Sequence, residues 1–157
     1  MIQGLADTPI GTLGLIVSEG ALVRIAFSPL AEIPIGEDRV LSMAKEQLRA
    51  YFSGERRCFC LPLMPIGTPF QQRVWSALAE IPYGTTETYG ELALRIGAGK
   101  AVRAVGQANH RNPLPIVIPC HRVIGRDGSL TGYAGGMEAK RALLRLEGIL
   151  AEQTRKT

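Results

Sequence analysis

Few residues of this sequence could build a disulfide framework or a metal site. The 157 residues include three cysteines and two histidines. An odd number of cysteines without regular spacing argues against a disulfide framework and favours a reducing compartment. Cys58 and Cys60 are spaced so that both thiols would lie on one face of a half-buried strand, but no histidine is close to them in the sequence. Because zinc needs more ligands than this pair, we predict no metal site.

The sequence also lacks long apolar runs and an N-terminal signal segment. Its longest apolar stretches fall far short of the roughly 18 residues that a membrane span requires, and no basic-plus-apolar leader is recognisable. We therefore expect a soluble, cytoplasmic protein without a membrane partner. The 46% of hydrophobic residues can form a sizeable core, in one domain or in two small ones.

Acidic residues are absent between Glu91 and Asp127, in a chain whose net charge is +4. The cations inside this acid-free window are Arg95, Lys100, Arg103, Arg111, Arg122 and Arg126. Such a segment is typical of a surface that binds a polyanion. A solvated basic face without a partner is the alternative interpretation.

The first third of the sequence indicates a small sheet followed by a helix. β-Branched and apolar residues over 8–17 and 21–27 predict a hairpin that turns at Ser18–Gly20. Apolar residues at helical spacing predict a helix over 40–52, and Gly54 lies where a C-terminal cap belongs.

A further strand is expected over 58–63, before a segment that contains proline and glycine. This segment, 65–67, is the predicted linker. It would separate an N-terminal α/β structural domain, 1–64, from a C-terminal domain, 68–157, which contains the motifs described below. Only the last residues, 153–157, are predicted to be disordered.

Two capping boxes mark helix starts in the second part of the chain. Thr68–Gln71 carries proline at the first helical position, and Pro82 is expected to end this helix. Thr88–Glu91 begins a short helix, and a third helix, predicted over 100–109, follows after a glycine-containing turn. This pattern predicts a helix-turn-helix unit, although many packed helix pairs share it.

A lone thiol next to an imidazole follows a strand-like segment. Residues 116–118 predict a buried strand, which Pro119 would end so that the sulfur of Cys120 turns out of the core. A free thiol has a pKa of about 8.5, so a nucleophile needs a base or a positive field, which His121 and Arg122 could supply. An inert core cysteine is the alternative interpretation.

The motifs that surround this cysteine resemble one known family. They run in the order Arg103–Gly106, Asn112–Pro113, Pro115, Pro119–Val123 and Gly132–Gly136. In these blocks, and without an obvious gap over about 68–148, the sequence closely resembles the O6-alkylguanine-DNA alkyltransferases. We predict an α+β fold in which a small N-terminal sheet-plus-helix domain precedes a winged-helix-like C-terminal domain.

The resemblance implies direct and irreversible repair of alkylated DNA. A thiolate at Cys120 would attack the alkyl carbon on O6 of guanine, with O4-alkylthymine as a further substrate left open, after the nucleotide is flipped out of the duplex. His121 would take the thiol proton through a water, Glu147 would orient and charge that histidine, and Asn112 would brace the active-site turn. Each molecule would act once, and no metal or organic cofactor is required.

The resemblance also implies a pocket for the flipped base. Tyr89 would donate its hydroxyl to the guanine N3 as the base leaves. Tyr133 would form a wall of the pocket, with Ala134 at its rim. The backbone carbonyls of Cys120 and Val123 would read the guanine amino group.

On the DNA side, the third helix would lie in the minor groove of double-stranded DNA. Its small residues, Ala104 and Gly106 among them, would let it approach closely. Arg103 would enter the duplex and fill the space left by the flipped base, and Arg111 would belong to the same surface. A monomer is expected, and cooperative binding on DNA is left open.

Three residues depart from the pattern of many relatives. Ala134 stands in place of a serine, and Asn109 and His110 replace apolar and basic residues on the DNA face, which leaves the affinity open. Three other functions compete: an alkyltransferase-like DNA binder without transfer activity, a winged-helix regulator and a cysteine hydrolase. Cys120 argues against the first, and adjacent strand residues, which point to opposite faces, argue against the last.

Overall fold

The computed structural model describes residues 1–151, and its N-terminal half is a three-stranded antiparallel sheet with one helix packed against it. The strands are β1 (Ile2–Thr8), β2 (Gly11–Ser18) and β3 (Ala21–Ala26), in the order β1-β2-β3. The helix α1 (Arg39–Phe52) packs on this sheet. The predicted disorder of 153–157 lies outside the described residues.

The first strand of the sheet differs from the sequence-based expectation. Residues 8–17 were expected to form one strand, but the chain turns at Pro9 and Ile10, and β1 precedes that turn. β1 carries Gly4 where α1 packs closely, because a Cβ there would meet Lys45 Cε at 3.0 Å. Because Gly4 has no side chain, the alternation of apolar and polar side chains that indicates a strand is weaker in β1. The predicted turn after Ser18 is confirmed, with Glu19 and Gly20 both at positive φ.

Helix α1 has the caps and the buried face that its sequence predicts. The Asp38 side chain accepts a hydrogen bond from Leu41 N at 2.8 Å, and Gly54, at φ +81°, follows the helix end in the left-handed region. Leu41, Leu48 and Tyr51 are almost fully buried. Each leucine buried in this way stabilises the fold by roughly 2 kcal/mol.

The strand expected over 58–63 is wrong. This segment is irregular, and only Leu63 forms an isolated bridge, to Leu22. The Gln47 side chain pairs with the backbone of Cys60 instead, donating to its carbonyl at 2.9 Å and accepting from its N–H at 2.8 Å. Because these bonds replace a strand partner, Cys58 and Cys60 remain exposed.

The predicted linker packs against the second half of the chain. A Cβ at Gly67 would lie 2.3 Å from the Trp75 ring, so only glycine fits there. The Gln72 side chain donates to Pro65 O at 2.6 Å. The hydrophobic core also runs without a break from the sheet into the C-terminal helices. The division into two domains stays a prediction.

The C-terminal half consists of four helices and a minimal parallel strand pair. The helices are α2 (Pro69–Leu78), α3 (Tyr89–Arg95), α4 (Val102–His110) and α5 (Met137–Leu146), and the strands are β4 (Glu87–Thr88) and β5 (Val123–Ile124). Both predicted capping boxes are present, at Thr68 and Thr88. Helix α2 ends before Pro82, at Leu78. Helices α3 and α4 pack together as the predicted helix-turn-helix.

Helix α4 is anchored to α2 through a buried indole. Trp75 Nε1 donates to Ala108 O at 2.8 Å, and the ring is almost fully buried. This contact leaves the opposite side of α4 exposed. Within residues 1–151, no helix is long and apolar enough to cross a membrane.

Candidate active site

The candidate nucleophile lies in a short helical turn instead of following a strand. Cys120–Arg122 form one turn of 3₁₀ helix. The expected strand over 116–118 is wrong: Ile116 has φ +76°, and Ile118 N donates back to Leu114 O at 2.8 Å. The surrounding prolines supply no N–H donors, so the β-branched run cannot pair as a regular strand.

The Cys120 thiol is buried, with 6% of the residue exposed, so the expectation that its sulfur turns out of the core is also wrong. Burial raises the pKa of the Cys120 thiol to about 11, against smaller lowering effects from a hydrogen bond with Asn112 and the charge of Lys140. The resting cysteine is therefore a neutral thiol, and its reaction needs a base in place.

The candidate base, His121, is next in the sequence and is fully buried. His121 Nε2 lies 2.7 Å from Glu147 Oε2, and because a carboxylate only accepts, Nε2 carries the proton. Burial lowers the pKa of His121, and Glu147 opposes this effect. Nδ1 of the neutral ring has no hydrogen-bond partner within residues 1–151 and so keeps a free lone pair. This nitrogen is the group that can accept a proton.

Glu147 is the centre of the buried network. Burial alone would raise the pKa of Glu147, but hydrogen bonds from His121 and Arg122 lower it to about 2. Arg122 donates through Nε to Oε1 at 2.7 Å and through a terminal nitrogen to Oε2 at 3.0 Å. Arg122 therefore neutralises Glu147. Its charge is not available to stabilise a thiolate at Cys120, contrary to the expectation from the sequence.

Tyr51 is a member of this network that the sequence analysis missed. It lies on α1, fully buried, and its hydroxyl donates to Glu147 Oε2 at 2.5 Å. Helical spacing identified Tyr51 as a core residue, but nothing local marked its partner, which stands 96 positions away. The N-terminal half thus contributes a donor to the same oxygen that holds His121.

Asn112 is hydrogen-bonded on both sides to the loop that leads to Cys120. Its amide nitrogen donates to Ile118 O at 2.8 Å, and its oxygen accepts from Leu114 N at 2.9 Å. Both bonds are buried, and together they fix the loop that ends at Cys120.

Lys140 is a second residue that the sequence analysis missed. Its side chain is fully buried on α5, and Nζ donates to Val123 O at 2.8 Å and to Thr131 O at 3.0 Å. Burial lowers the pKa of Lys140, whereas the nearby Cys120 raises it. The positive charge of a lysine buried near a thiol favours the thiolate form. The sequence signal that could have identified Lys140 is its position on the buried face of α5.

The residues predicted to form the pocket differ in burial and in hydrogen bonding. Tyr133 Oη is buried and has no hydrogen-bond partner in the described part of the chain, while Ala134 is exposed. Val123 is fully buried, and its carbonyl already accepts from Lys140. Any contact of that carbonyl with a base would therefore use its second lone pair. Tyr89 is half-buried at the start of α3, with its hydroxyl 2.9 Å from Thr131 Oγ1.

The predicted DNA-facing residues of α4 are mostly accessible. Arg103, Ala104 and Arg111 are exposed, and Gly106 is half-buried, with Tyr89 3.6 Å from the place of a Cβ. Among the departures, His110 is exposed, but Asn109 is buried. Asn109 therefore cannot stand on a DNA face as the sequence suggested.

Two cations of the acid-free window form ion pairs with carboxylates of the same chain. Arg95 pairs with Glu80 at 2.6 Å and with Glu87 at 3.0 Å, and Arg122 pairs with Glu147. The exposed cations that remain in the window are Lys100, Arg103, Arg111 and Arg126. Within residues 1–151, no group of three or more histidine, cysteine or acidic side chains could hold a metal ion.

The fold and the site together define a protein in which a buried cysteine, a histidine base and a carboxylate stand beside a helix-turn-helix. Two family models match the chain: the DNA binding domain of 6-O-methylguanine DNA methyltransferase over residues 69–149, and its ribonuclease-like domain over residues 1–65. The chain belongs to the 6-O-methylguanine DNA methyltransferase family.

Individual relatives match nearly the whole chain. The methylated-DNA–protein-cysteine methyltransferase of Methanosarcina acetivorans is 48% identical over 94% of this chain and 99% of its own. The constitutive enzyme of Bacillus subtilis is 48% identical over 92% and 93%. The crystal structure of Mycobacterium tuberculosis OGT in complex with DNA is 47% identical, with a TM-score of 0.87 over 94% of this chain and 93% of that chain.

Proposed function

We propose that this protein repairs DNA by transferring an alkyl group from O6 of guanine to Cys120, once per molecule. The observation that carries the proposal is the buried site itself: His121, next to Cys120 in the sequence, is held by Glu147 through Nε2, while its Nδ1 has no hydrogen-bond partner within the described residues. The family and the DNA complex of a relative support DNA as the partner.

In the proposed reaction, the thiol proton passes through a water to His121 Nδ1, and Glu147 stabilises the imidazolium. The sulfur then forms a bond with the alkyl carbon, and the bond between that carbon and O6 breaks. The electron pair leaves with guanine, whose developing negative charge is stabilised by a hydrogen bond from the Tyr89 hydroxyl to N3. The proton taken up by His121 then passes through solvent to the guanine, so that neutral guanine is released. The product is a thioether, which water does not cleave, so the protein is consumed.

The raised pKa of Cys120 fits a thiol that is activated only when a substrate is bound. Lys140 and Asn112 both favour the thiolate form of Cys120 and so oppose the effect of burial on its pKa. Tyr133 forms the pocket wall, Ala134 its rim, and the carbonyls of Cys120 and Val123 read the guanine amino group. The flipped base would complete this enclosure.

For DNA, we propose that α4 lies in the minor groove of a duplex and that the protein acts as a monomer. Ala104 and Gly106 allow a close approach, Arg111 contacts the backbone, and Arg103 fills the gap left by the flipped nucleotide. The cytoplasmic location and the cooperativity on DNA stay predictions from the sequence.

Incubation with an oligonucleotide that carries O6-methylguanine, followed by peptide mass analysis, tests the proposal. We expect one methyl group on the peptide that contains Cys120, in a ratio of one per protein molecule. Duplex binding without any modified thiol would instead indicate a regulator, and repeated turnover would indicate a hydrolase.

A further inference from the structure

Two exposed thiols, Cys58 and Cys60, take no part in the proposed transfer reaction. They lie two residues apart in the irregular segment between α1 and α2, where the chain bends at Cys58. The Gln47 side chain holds the backbone of Cys60 through two hydrogen bonds, and Arg56 donates to Cys58 O at 2.9 Å. Both thiols are therefore accessible on a segment whose backbone is held in place.

A cavity of about 470 Å³ is lined by Cys58 but not by Cys60. Its other walls include residues 79–83 and 116–119. The volume lies within the roughly 300–1,000 Å³ of small-molecule sites. A substituent on the Cys58 sulfur therefore has space to occupy within the protein, whereas a substituent on Cys60 lies outside this cavity.

The cavity carries one guanidinium group without a carboxylate partner. Arg57 lines the cavity, and its guanidinium carbon lies 5.2 Å from the centre of the Tyr83 ring. Within residues 1–151, no carboxylate is at ion-pair distance from Arg57. The other charged residues of the wall are in ion pairs, Arg122 with Glu147 and Glu80 with Arg95. Arg57 is therefore available to a carboxylate of a ligand.

We propose that Cys58 and Cys60 form a dithiol site that reacts with a small disulfide whose two halves carry carboxylates. The thiolate of Cys58 attacks one sulfur of this disulfide and forms a mixed disulfide with it. The sulfur–sulfur bond of the small molecule breaks, and the other half leaves as a thiolate, which takes up the proton that Cys58 lost. The bound half lies in the cavity, with its carboxylate on Arg57.

Cys60 completes the reaction. Its thiolate attacks the Cys58 sulfur, a bond forms between Cys58 and Cys60, and the bound half leaves as a second small thiol. Residues two apart are separated by at most about 7 Å between Cα atoms, and disulfides span up to about 6.8 Å, so the segment needs only a small contraction. Two protein thiols are oxidised and one small disulfide is reduced. In a reducing compartment such a bond is transient.

Three small disulfides of similar length test the site: dithiodipropionate is anionic, cystamine is cationic, and bis(2-hydroxyethyl) disulfide is neutral. Peptide mass mapping without reduction measures the rate of mixed-disulfide formation in Cys60→Ser, which retains Cys58, and in Cys58→Ser, which retains Cys60. The intrinsic reactivity of each probe cancels in the ratio of these two rates. We expect the ratio to favour Cys58 most with dithiodipropionate and least with cystamine. Equal ratios for all three probes would overturn the proposal.

Arg57→Ala, added to Cys60→Ser, should reduce the preference of Cys58 for dithiodipropionate over cystamine by roughly threefold to fivefold. This change is equivalent to about 0.6–1 kcal/mol, the upper range for an exposed ion pair. Arg56→Gln is the matched control, because it removes a charge next to Cys58 from a side chain that does not line the cavity. An equal loss in both variants would mean that the basic segment as a whole selects the probe, and the proposed binding in the cavity would be wrong.

The wild-type protein should proceed to the second step. With dithiodipropionate we expect a peptide that contains a bond between Cys58 and Cys60 and is lighter by two hydrogen atoms than its reduced form, whereas Cys60→Ser should stop at the mixed disulfide. Accumulation of the mixed disulfide in the wild type would refute the role of Cys60. Cys120 is buried and should remain a thiol. Oxidation of Cys120 ahead of Cys58 would contradict the proposal, which does not depend on alkyl transfer because no alkylated DNA is present.

Discussion

The two halves of the chain serve the active site in different ways. The C-terminal half supplies the proposed nucleophile and base, Cys120 and His121 on a single turn, and their carboxylate partner, Glu147, at the end of α5. The N-terminal half supplies no reacting group. It contacts the site through the Tyr51 hydroxyl, which donates to Glu147, and through β3, where Ile25 N donates to Pro113 O.

This difference indicates how the site is stabilised. A buried carboxylate costs several kcal/mol unless it is paired and fully hydrogen-bonded. Arg122 neutralises Glu147, but the carboxylate oxygens of Glu147 can accept more hydrogen bonds than His121 and Arg122 provide. Tyr51 provides a further one. A half of the chain that the sequence suggested to be only structural thus takes part in setting the charge distribution around the base.

The largest effect is expected in the C-terminal half, from Cys120→Ser. This change should abolish alkyl transfer because no thiolate remains, and it should leave duplex affinity nearly unchanged because affinity depends on the exposed cations around α4. Mass analysis and a binding titration measure the two properties. A double Cys58→Ser, Cys60→Ser variant is the control and should retain full transfer. Modification of either exposed cysteine in the Cys120→Ser protein would refute the assignment.

Glu147→Gln should reduce the rate by about 10²-fold or more, the usual range for a perturbed acid–base group. In the wild type, the rate is expected to fall as pH drops through the lowered pKa of His121, since the protonated ring is no base. Glu147 raises that pKa, so its loss should move the acid limb of the pH–rate profile to lower pH. Circular dichroism checks that the fold is kept. An acid limb at the wild-type pH would refute the role of Glu147.

The local elements of the site were predictable, and its long-range contacts were not. Capping boxes located α2 and α3 because a cap is encoded within four residues of sequence. The strand over 116–118 was wrong because β-branched composition says nothing about whether a partner strand exists. The Tyr51 contact to Glu147 joins residues 96 positions apart, which no single-sequence pattern records.

Arg103→Ala should produce an intermediate effect, confined to duplex substrates. Arg103 is exposed on α4, as is required of a residue that enters the duplex and fills the space left by the flipped base. If it fills the space of the flipped base, its loss should slow repair of O6-methylguanine in duplex DNA by about tenfold, equivalent to roughly 1.4 kcal/mol. Free O6-benzylguanine should react at close to the wild-type rate. Equal slowing of both reactions would mean that Arg103 shapes the pocket instead.

The smallest effect is expected in the N-terminal half, from Tyr51→Phe. The change removes one donor to a charged, buried oxygen, so it should lower the free energy of unfolding by roughly 2 kcal/mol. Glu147 Oε2 would then interact more strongly with His121 and raise its pKa. The acid limb of the pH–rate profile should therefore move to higher pH, opposite to the shift in Glu147→Gln, with a rate change of a few-fold.

Tyr83→Phe is the matched control for this prediction. Its hydroxyl donates to Leu146 O at 3.2 Å, next to Glu147 in sequence but on a neutral carbonyl. The control should lose stability, by about 1 kcal/mol, without any shift of the acid limb. A Tyr51→Phe protein that is only less stable, with the wild-type pH–rate profile, would show that the N-terminal half supports the site without tuning its base. Opposite shifts of the acid limb in Tyr51→Phe and Glu147→Gln would place both halves in one electrostatic network. The carboxylate that both halves contact would then set the pKa of His121, which changes to that carboxylate can raise or lower.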